Sequence, residues 1–232
     1  MLCVGDARVG GVPQRWWSVA RPDGSLHGRT TLGRGGVELE GSRVRVESDG
    51  VSIDLELGEG EPVEVVSPSG PNGYIWTRKL GGVSARGTVE IAGHGLELDA
   101  EGVVDDSAGY HKRHTAWRWS AGVGRTEAGE RIAWNLVTGI HDAPAASERT
   151  LWVDGAPREV GPVEFAPDLS AVHFAEGGAL EFRGWAAREH RTSLLLVRNR
   201  YRQPFGVFSG RLPGGLTLAS GYGVMEDHDA WW

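Results

Sequence analysis

The chain has little of what a disulfide framework, a membrane span or a nucleic-acid surface requires. Cys3 is the only cysteine among 232 residues, so neither an internal disulfide nor a thiolate zinc site can form within the chain. Because such low cysteine content is typical of a reducing compartment, we expect a cytoplasmic protein. The longest apolar run, residues 194–197, is far too short to span a bilayer. Stable membrane insertion is therefore not expected.

A stripe of positive charge is also missing. The net charge of −7 comes from 31 acidic and 24 basic residues that are interspersed, whereas binding along a phosphate backbone needs clustered Lys and Arg. We therefore expect no nucleic-acid partner. Helix-favouring residues form no long runs, while 36 glycines and 10 tryptophans are typical of β structure.

What the chain does contain is alternation of apolar and polar residues with a period of two, which predicts half-buried strands. The clearest segments are 37–48, 51–57, 88–100, 131–140 and 192–201. Gly, Pro and Asp residues separate them, which predicts hairpins between antiparallel neighbours. We expect roughly 14 to 18 short strands and very little helix, closed into an antiparallel barrel or two packed barrel-like halves, with a sandwich as the alternative.

The unusual residues are unevenly distributed along the chain, and the change falls near Ala100. Residues 1–100 contain ordinary strand segments, whereas residues 101–232 hold nearly all the titratable and aromatic clusters. We expect an N-terminal β half and a C-terminal β half that carries the site, together forming one compact unit.

Most of the candidate chemistry lies in the stretch DDSAGYHKRHTAWRWS at 105–120. If residues 110–119 are extended, alternate side chains share one face of a strand. That face would carry His111, Arg113, Thr115, Trp117 and Trp119. Aromatic surface with a few fixed polar groups is typical of a ligand pocket, although a Trp-x-Trp pair on a strand also serves as core packing.

An arginine that faces such an interior needs an acidic partner, because a buried charge without one is costly. The last twelve residues, GYGVMEDHDAWW, supply a candidate: on a strand, Glu226 and His228 share a face. They are near enough to act on one ligand as an acid–base pair. We predict that Glu226 pairs with Arg113 and lies close to Trp117. The other interpretation is a charged strand that faces water.

Four further residues complete the candidate set. Asp106 and Glu148 are alternative acids for the arginine, and Glu148 also suits a salt bridge at a strand edge. Asn135 is a polar residue in an otherwise apolar segment, so it needs hydrogen-bond partners if buried or else marks a bulge. Tyr110 joins the candidate ligand-binding residues.

Metal and cofactor signatures are weak or absent. His111 and His114 would point to opposite faces of a strand, so they do not form a ligand pair. The sequence lacks the G-x-S-x-G elbow, the P-loop, H-E-x-x-H and a dinucleotide-binding glycine motif. We therefore expect neither a metal nor a cofactor.

Four motifs taken together resemble one family. They are D-S-x-G-Y-x-x-R-x-T-x-W-x-W at 106–119, W-N-L-V-x-G at 134–139, P-F-G-x-F-x-G at 204–210 and G-V-M-E-x-H-D-x-x-W at 223–232. By these motifs the chain is identified as a member of the bacterial DUF2804 family, whose name carries no established activity. It is more distantly similar to the calycin-like proteins, which include carotenoid 1,2-hydratase, tocopherol cyclase and lipocalin-like pericyclases. That similarity implies a calycin or lipocalin-like barrel around an apolar, often terpenoid, ligand.

These residues support two hypotheses. In the first, the protein is a cofactor-independent acid–base enzyme that hydrates, cyclises or isomerises a terpenoid- or polyketide-like molecule. Glu226 or Asp106 would donate a proton and His111 or His228 would accept one, while the tryptophans stabilise developing positive charge. In the second, the same groups hold a hydrophobic ligand in a non-catalytic lipocalin-like carrier or sensor. The oligomeric state is left open.

Overall fold

A computed structural model of the chain describes residues 1–33, 35–48, 50–194 and 197–231. Across these ranges the regular elements are eighteen β-strands, and no helix is assigned. Strands pair in antiparallel fashion throughout the registers. The prediction of an antiparallel all-β fold with barrel-like halves is therefore confirmed. The described part of the chain has no helix with the length and apolarity needed to cross a membrane.

The chain groups into two units, and unit 1 comprises residues 1–59 and 83–102. Its strands are β1 (Leu2–Val9), β2 (Val12–Ala20), β3 (Leu26–Leu32), β4 (Val37–Glu40), β5 (Arg43–Ser48), β6 (Val51–Leu57), and parts of β8 (Gly73–Ile91) and β9 (His94–Gly109). One sheet has the order β1-β2-β3, and a second has the order β4-β5-β6-β8. Alternation in β6 buries Val51, Ile53 and Leu55, which pack with Trp17 and Val46 in an apolar core.

Unit 2 comprises residues 60–82 and 103–232, whereas the sequence-based boundary lay near Ala100. Its remaining strands are β7 (Val63–Ser69), β10 (His114–Thr126), β11 (Arg131–Thr138), β12 (Thr150–Val153), β13 (Ala156–Glu159), β14 (Val163–Phe165), β15 (Ala171–Phe174), β16 (Ala179–Leu194), β17 (Val197–Leu212) and β18 (Leu216–Trp231). Nine of them form a sheet in the order β13-β12-β11-β10-β18-β17-β16-β15-β14. β7 pairs with the first part of β8.

The nine-stranded sheet is curled. β14, at one end of the strand order, also contacts β11. A single apolar cluster draws buried residues from strands along the whole sheet, including Ile132, Leu151, Phe165, Phe208 and Met225. Because these side chains meet in one core, the sheet is a half-barrel with its apolar side turned inward.

Strand alternation gives the centre of this sheet a second, polar side. Trp134 and Met225 belong to the apolar core, so their sequence neighbours Asn135 and Glu226 point the opposite way. We define the polar face by six side chains of β10, β11, β17 and β18. They are Trp117, Trp119, Asn135, Gln203, Glu226 and His228.

Four predicted strand segments were wrong. Residues 37–48 form two strands, β4 and β5, and residues 88–100 span the end of β8 and the start of β9. The segment 192–201 is two strands, because the end of β16 pairs with the start of β17, as in Ser193 opposite Arg198; Leu195 and Leu196 lie outside the described residues. Residues 110–113 connect β9 to β10 and are not in a strand. β9 ends at Gly109, whose φ of 149° favours glycine and whose position leaves no room for a Cβ, which would lie 2.3 Å from the Tyr74 carbonyl oxygen.

Candidate functional site

Glu226 is a buried acid at the centre of the polar face. Its side chain on β18 lies opposite Trp119 of β10 in the strand register, and the residue is 8% exposed. Trp117 Nε1 donates to Oε1 at 2.8 Å and Gln203 Nε2 donates to Oε2 at 3.1 Å. Burial raises the pKa of Glu226 to about 7, against the opposing effect of hydrogen bonds from Trp117 and Tyr201. Near neutral pH the carboxyl therefore exists in both protonation states.

His228 lies beside this carboxyl on the same strand. Its ring centroid is 4.1 Å from that of Trp117, and Nδ1 is 3.9 Å from Glu226 Oε1. Nε2 is 3.0 Å from Asn199 Oδ1, and because an amide oxygen only accepts hydrogen bonds, Nε2 carries the ring proton. Burial lowers the pKa of His228 to about 4. The imidazole is therefore neutral at pH 7, with the lone pair of Nδ1 on the side of Glu226.

A buried lysine forms the second part of the site. Lys79, on the buried side of β8, is 4% exposed. Its Nζ lies 2.5 Å from Asp105 Oδ1 and 3.6 Å from Glu148 Oε2. Burial alone would lower the pKa of Lys79, but the two carboxylates outweigh it and raise that pKa. We name Lys79, Asp105 and Glu148 the lysine cluster.

Trp119 and Asn135 connect the lysine cluster to the polar face. Lys79 Nζ lies 5.9 Å from the ring centroid of Trp119, a cation–π distance. Trp119 Nε1 donates to Asn135 Oδ1 at 2.7 Å, and Asn135 Nδ2 donates to the Glu148 carbonyl oxygen at 2.9 Å. Burial raises the pKa of Glu148, and the Lys79 charge opposes that rise. One buried cation thus faces two carboxyl groups, of which Glu148 is buried and Asp105 is partly exposed.

A second histidine borders the lysine cluster. His141 is buried, and its Nδ1 lies 2.8 Å from Ser67 Oγ. Burial, with a further effect from the Lys79 charge, lowers the pKa of His141 to about 4. His141 is therefore also neutral at pH 7.

The structure brings several of the predicted residues together. Trp117, Trp119, Asn135, Glu226 and His228 all belong to the polar face, joined by the contacts above. Thr115 is buried on the same strand, but its Oγ1 donates to the Lys112 carbonyl oxygen. Its hydroxyl is thus committed to the chain itself.

Other predicted residues lie elsewhere. Arg113 is exposed and precedes β10, and Glu226 has Trp117 and Gln203 as its partners, so the predicted Arg113–Glu226 pair is wrong. The physical reason is that the strand ends at Gly109 and resumes only at residue 114, which removes the alternation expected for 110–113.

Three more candidates differ from expectation in the same segment. Tyr110 is 70% exposed and packs edge-on against Tyr74. Asp106 is exposed, and its neighbour Asp105 is the acid that meets Lys79, because adjacent residues of β9 point to opposite faces. His111 is exposed, although its charge contributes to lowering the pKa of His141 and of His228.

Sequence reasoning missed Lys79, Asp105, Gln203 and His141. Lys79 carried the best signal, because it occupies a buried position in the alternating segment YIWTRKLGG at 74–82. Gln203 directly precedes the P-F-G motif, on the strand next to Glu226. No local sequence feature distinguishes Asp105 from Asp106 as the partner of Lys79. The described residues contain no group of three or more His, Cys, Asp or Glu arranged to hold a metal ion.

The fold and site together define a class: an antiparallel half-barrel protein with a buried carboxyl beside a neutral histidine. The family model "Domain of unknown function (DUF2804)" matches residues 23–232, so the chain belongs to the DUF2804 family. No curated protein matches the sequence significantly.

Two solved structures share the fold. One is a candidate AttH from Nitrosomonas europaea, with a TM-score of 0.59 and 12% identity, covering 97% of this chain and 85% of that one. The other is kievitone hydratase from Nectria haematococca, with a TM-score of 0.58 and 13% identity, covering 97% of this chain and 82% of that one. At these identities the likeness establishes the fold alone.

Proposed function

We propose that the protein binds an apolar small molecule at the polar face and carries out cofactor-independent acid–base chemistry on it, of the hydratase, cyclase or isomerase type. The observation that carries this proposal is the pairing of Glu226, whose pKa is about 7, with a neutral His228. A general acid works best when its pKa is close to the working pH. Carboxyl groups tuned in this way cluster at functional sites.

Hydration is the reaction that these two groups suit best. Glu226 gives its proton to one carbon of a C=C bond, and the π electrons form the new C–H bond. The oxygen of a water molecule bonds to the other carbon, and Nδ1 of His228 takes the proton that this water loses. Proton transfer from His228 back to Glu226, across the 3.9 Å that separates Nδ1 and Oε1, restores the starting state. The face of Trp117 would stabilise positive charge on the reacting carbon.

The resemblance to kievitone hydratase supports the choice of hydration, because that hydratase is built on the same fold. The aromatic surface of Trp117 and Trp119 supports an apolar, terpenoid- or polyketide-like substrate. A cytoplasmic location fits this function, since Cys3 is the only cysteine in the sequence and no disulfide can form within the chain.

A non-catalytic carrier or sensor is the second candidate, and one observation favours it. Both oxygens of Glu226 already accept hydrogen bonds, from Trp117 and Gln203. A carboxyl that is satisfied in this way stabilises a polar network. For catalysis, the substrate must displace one of these donors.

Isotope incorporation separates the two candidates. Ligand that co-purifies with the protein is identified by mass spectrometry and then incubated with the protein in H₂¹⁸O and in D₂O. An enzyme of the hydratase type introduces ¹⁸O and deuterium, and one of the cyclase or isomerase type introduces deuterium alone. Bound ligand that acquires neither isotope would identify a carrier.

The test has a matched pair of variants. Glu226→Gln should still bind ligand, but its incorporation rate should fall by about 100-fold or more, the usual contribution of a general acid. Glu164→Gln, at an exposed position of unit 2, should behave like the wild type. Equal rates in all three proteins would remove Glu226 from the mechanism.

A further inference from the structure

Unit 2 contains an open depression of about 530 Å³ outside the polar face. It is lined by residues 69–73, from the last residue of β7 to the first of β8, and by residues 110–113, which connect β9 to β10. The two segments are held together: the Tyr110 amide donates to the Tyr74 carbonyl oxygen at 2.9 Å. A Cβ at Gly73 would lie 3.3 Å from Tyr110 Cβ. The depression is thus formed by closely fitted backbone.

Its charge is one-sided. Three consecutive lining residues, His111, Lys112 and Arg113, have basic side chains, and none of the lining residues is an acid. Within the described ranges, Lys112 and Arg113 form no ion pair, whereas many of the other basic side chains, such as Arg43, do. In a chain with a net charge of −7, unpaired cations grouped around a depression favour an anion.

A buried hydroxyl adds a neutral donor. Ser69 lines the depression and is 7% exposed. Its Oγ has no hydrogen-bond partner in the described part of the chain. Buried polar groups are nearly always hydrogen-bonded. The Ser69 hydroxyl is covered in this structure, so it would donate to a ligand oxygen only after a small shift of the turn at 70–72.

The same depression also offers apolar surface. Tyr110 lines it with 70% of its surface exposed, and Tyr74 packs edge-on against Tyr110 with ring centroids 6.1 Å apart. Pro71 lies on the opposite segment. Aromatic surface next to cations suits a molecule that is apolar in its body and anionic at one end.

We propose that this depression binds an oxyanion, a carboxylate by preference, carried by the apolar ligand of this protein. The inference rests on the proposed function, which supplies the apolar ligand. It adds that this ligand is an acid. A carboxylate matches the planar fork of Arg113 by two parallel hydrogen bonds, and Lys112 adds a second positive charge.

Placement near the polar face supports this role. The charge of His111 acts on both His228 and His141, so the rim of the depression and the buried histidines share one electrostatic environment. A bound anion beside His111 would raise the pKa of those histidines, since a nearby negative charge favours the protonated form. Ligand anchoring and proton transfer would thus be coupled.

Binding of small model acids tests the proposal in the full chain by isothermal titration calorimetry. The probes are 2-naphthylacetate, the neutral analogue 2-naphthaleneethanol, and inorganic phosphate. We expect 2-naphthylacetate to bind at least about tenfold more tightly than the alcohol, with affinity falling as salt is added. Equal affinity for acid and alcohol, no binding of the acid, or equal binding of inorganic phosphate would overturn the proposal.

Two double variants locate the site. Lys112→Gln with Arg113→Gln should weaken 2-naphthylacetate binding about tenfold, the usual scale for two partly exposed charge contacts. Arg183→Gln with Arg211→Gln changes the net charge equally at exposed positions of unit 2 and should leave affinity unchanged. The same loss in both would overturn the proposal.

Failure of the proposed function gives a different result. Glu226→Gln should bind 2-naphthylacetate with wild-type affinity, because it alters the polar face and not the depression. If the protein binds 2-naphthylacetate but incorporates no isotope into its ligand, the proposed acid–base function is wrong and the anion site stands. If the protein does not prefer the acid to the alcohol, the proposal for the depression is wrong.

Discussion

Units 1 and 2 place their charged side chains differently. In unit 1, ion pairs such as Arg43–Asp54 lie at the surface, with both side chains close to half exposed. In unit 2, the side chains of Lys79 and Glu148 are 5% and 3% exposed. Glu226 is buried, and within the described ranges no Lys or Arg forms an ion pair with it. Surface pairs contribute little to stability. Buried ionisable groups reduce stability unless well paired, so their concentration in unit 2 supports the proposal of a site there.

The largest expected effect comes from removing the buried cation. Lys79→Met leaves Asp105 and Glu148 without their partner, and we expect the free energy of unfolding to fall by about 3–5 kcal/mol. Arg86→Met in unit 1, which removes an exposed pair with Asp99, should change it little. Urea unfolding followed by tryptophan fluorescence compares the two. If both variants lower the free energy of unfolding by a similar small amount, the buried pair of unit 2 contributes no more than the exposed pair of unit 1.

The second effect is a pH dependence that comes from Glu226. Its folded pKa of about 7 lies above its unfolded value, so the folded state holds the proton more tightly and stability falls as pH rises from about 4.5 to 7. Glu226→Gln lacks this loss. The free energy of unfolding of the variant minus that of the wild type should therefore rise by about 3 kcal/mol across that interval.

His228 and His141 act in the opposite direction. Their folded pKa values of about 4 lie below their unfolded values, so they add stability as pH rises from about 4 to 6.5. Both histidines are present in the wild type and in Glu226→Gln, and their contributions cancel in the difference. A pH-independent difference would show that Glu226 is ionised throughout.

A third, smaller effect tests the hydrogen bond that holds Glu226. Trp117→Phe removes the Nε1 donor and should cost about 2 kcal/mol above pH 7, where the acceptor is a carboxylate, and less near pH 4. It should also raise the pKa of Glu226 further. Trp185→Phe, on β16 of the same sheet, is the matched control, and its loss should not vary with pH between those limits.

The smallest effect concerns His111. Because its positive charge lowers the pKa of His228, His111→Gln should raise the pKa of His228 slightly, towards its ordinary value. Proton NMR titration of the His228 ring checks this. An unchanged titration would mean that the rim of the depression and the polar face are electrically independent.

Strand alternation explains how much of the site the sequence predicted. It placed Trp117 with Trp119 and Glu226 with His228 on shared faces, because side chains repeat every two residues wherever the backbone is extended. The same rule failed for Arg113, since β9 ends at Gly109 and β10 begins only at His114, which leaves the arginine in the connection between them. The prediction that the motifs at 106–119 and 223–232 lie side by side agrees with the pairing of β10 and β18. The reason given for it, an ion pair between Arg113 and Glu226, was wrong.

The sequence by itself determined the all-β class, the antiparallel pairing through short turns, and the pairs of residues that share a strand face, because each depends on local backbone geometry. Only the tertiary structure decided that Gln203 and Trp117 hold Glu226, that Lys79 meets Asp105, and that Arg113 faces solvent. Those contacts join strands up to about a hundred residues apart. They depend on register and burial, which set the partners and the pKa values and which local sequence patterns do not encode.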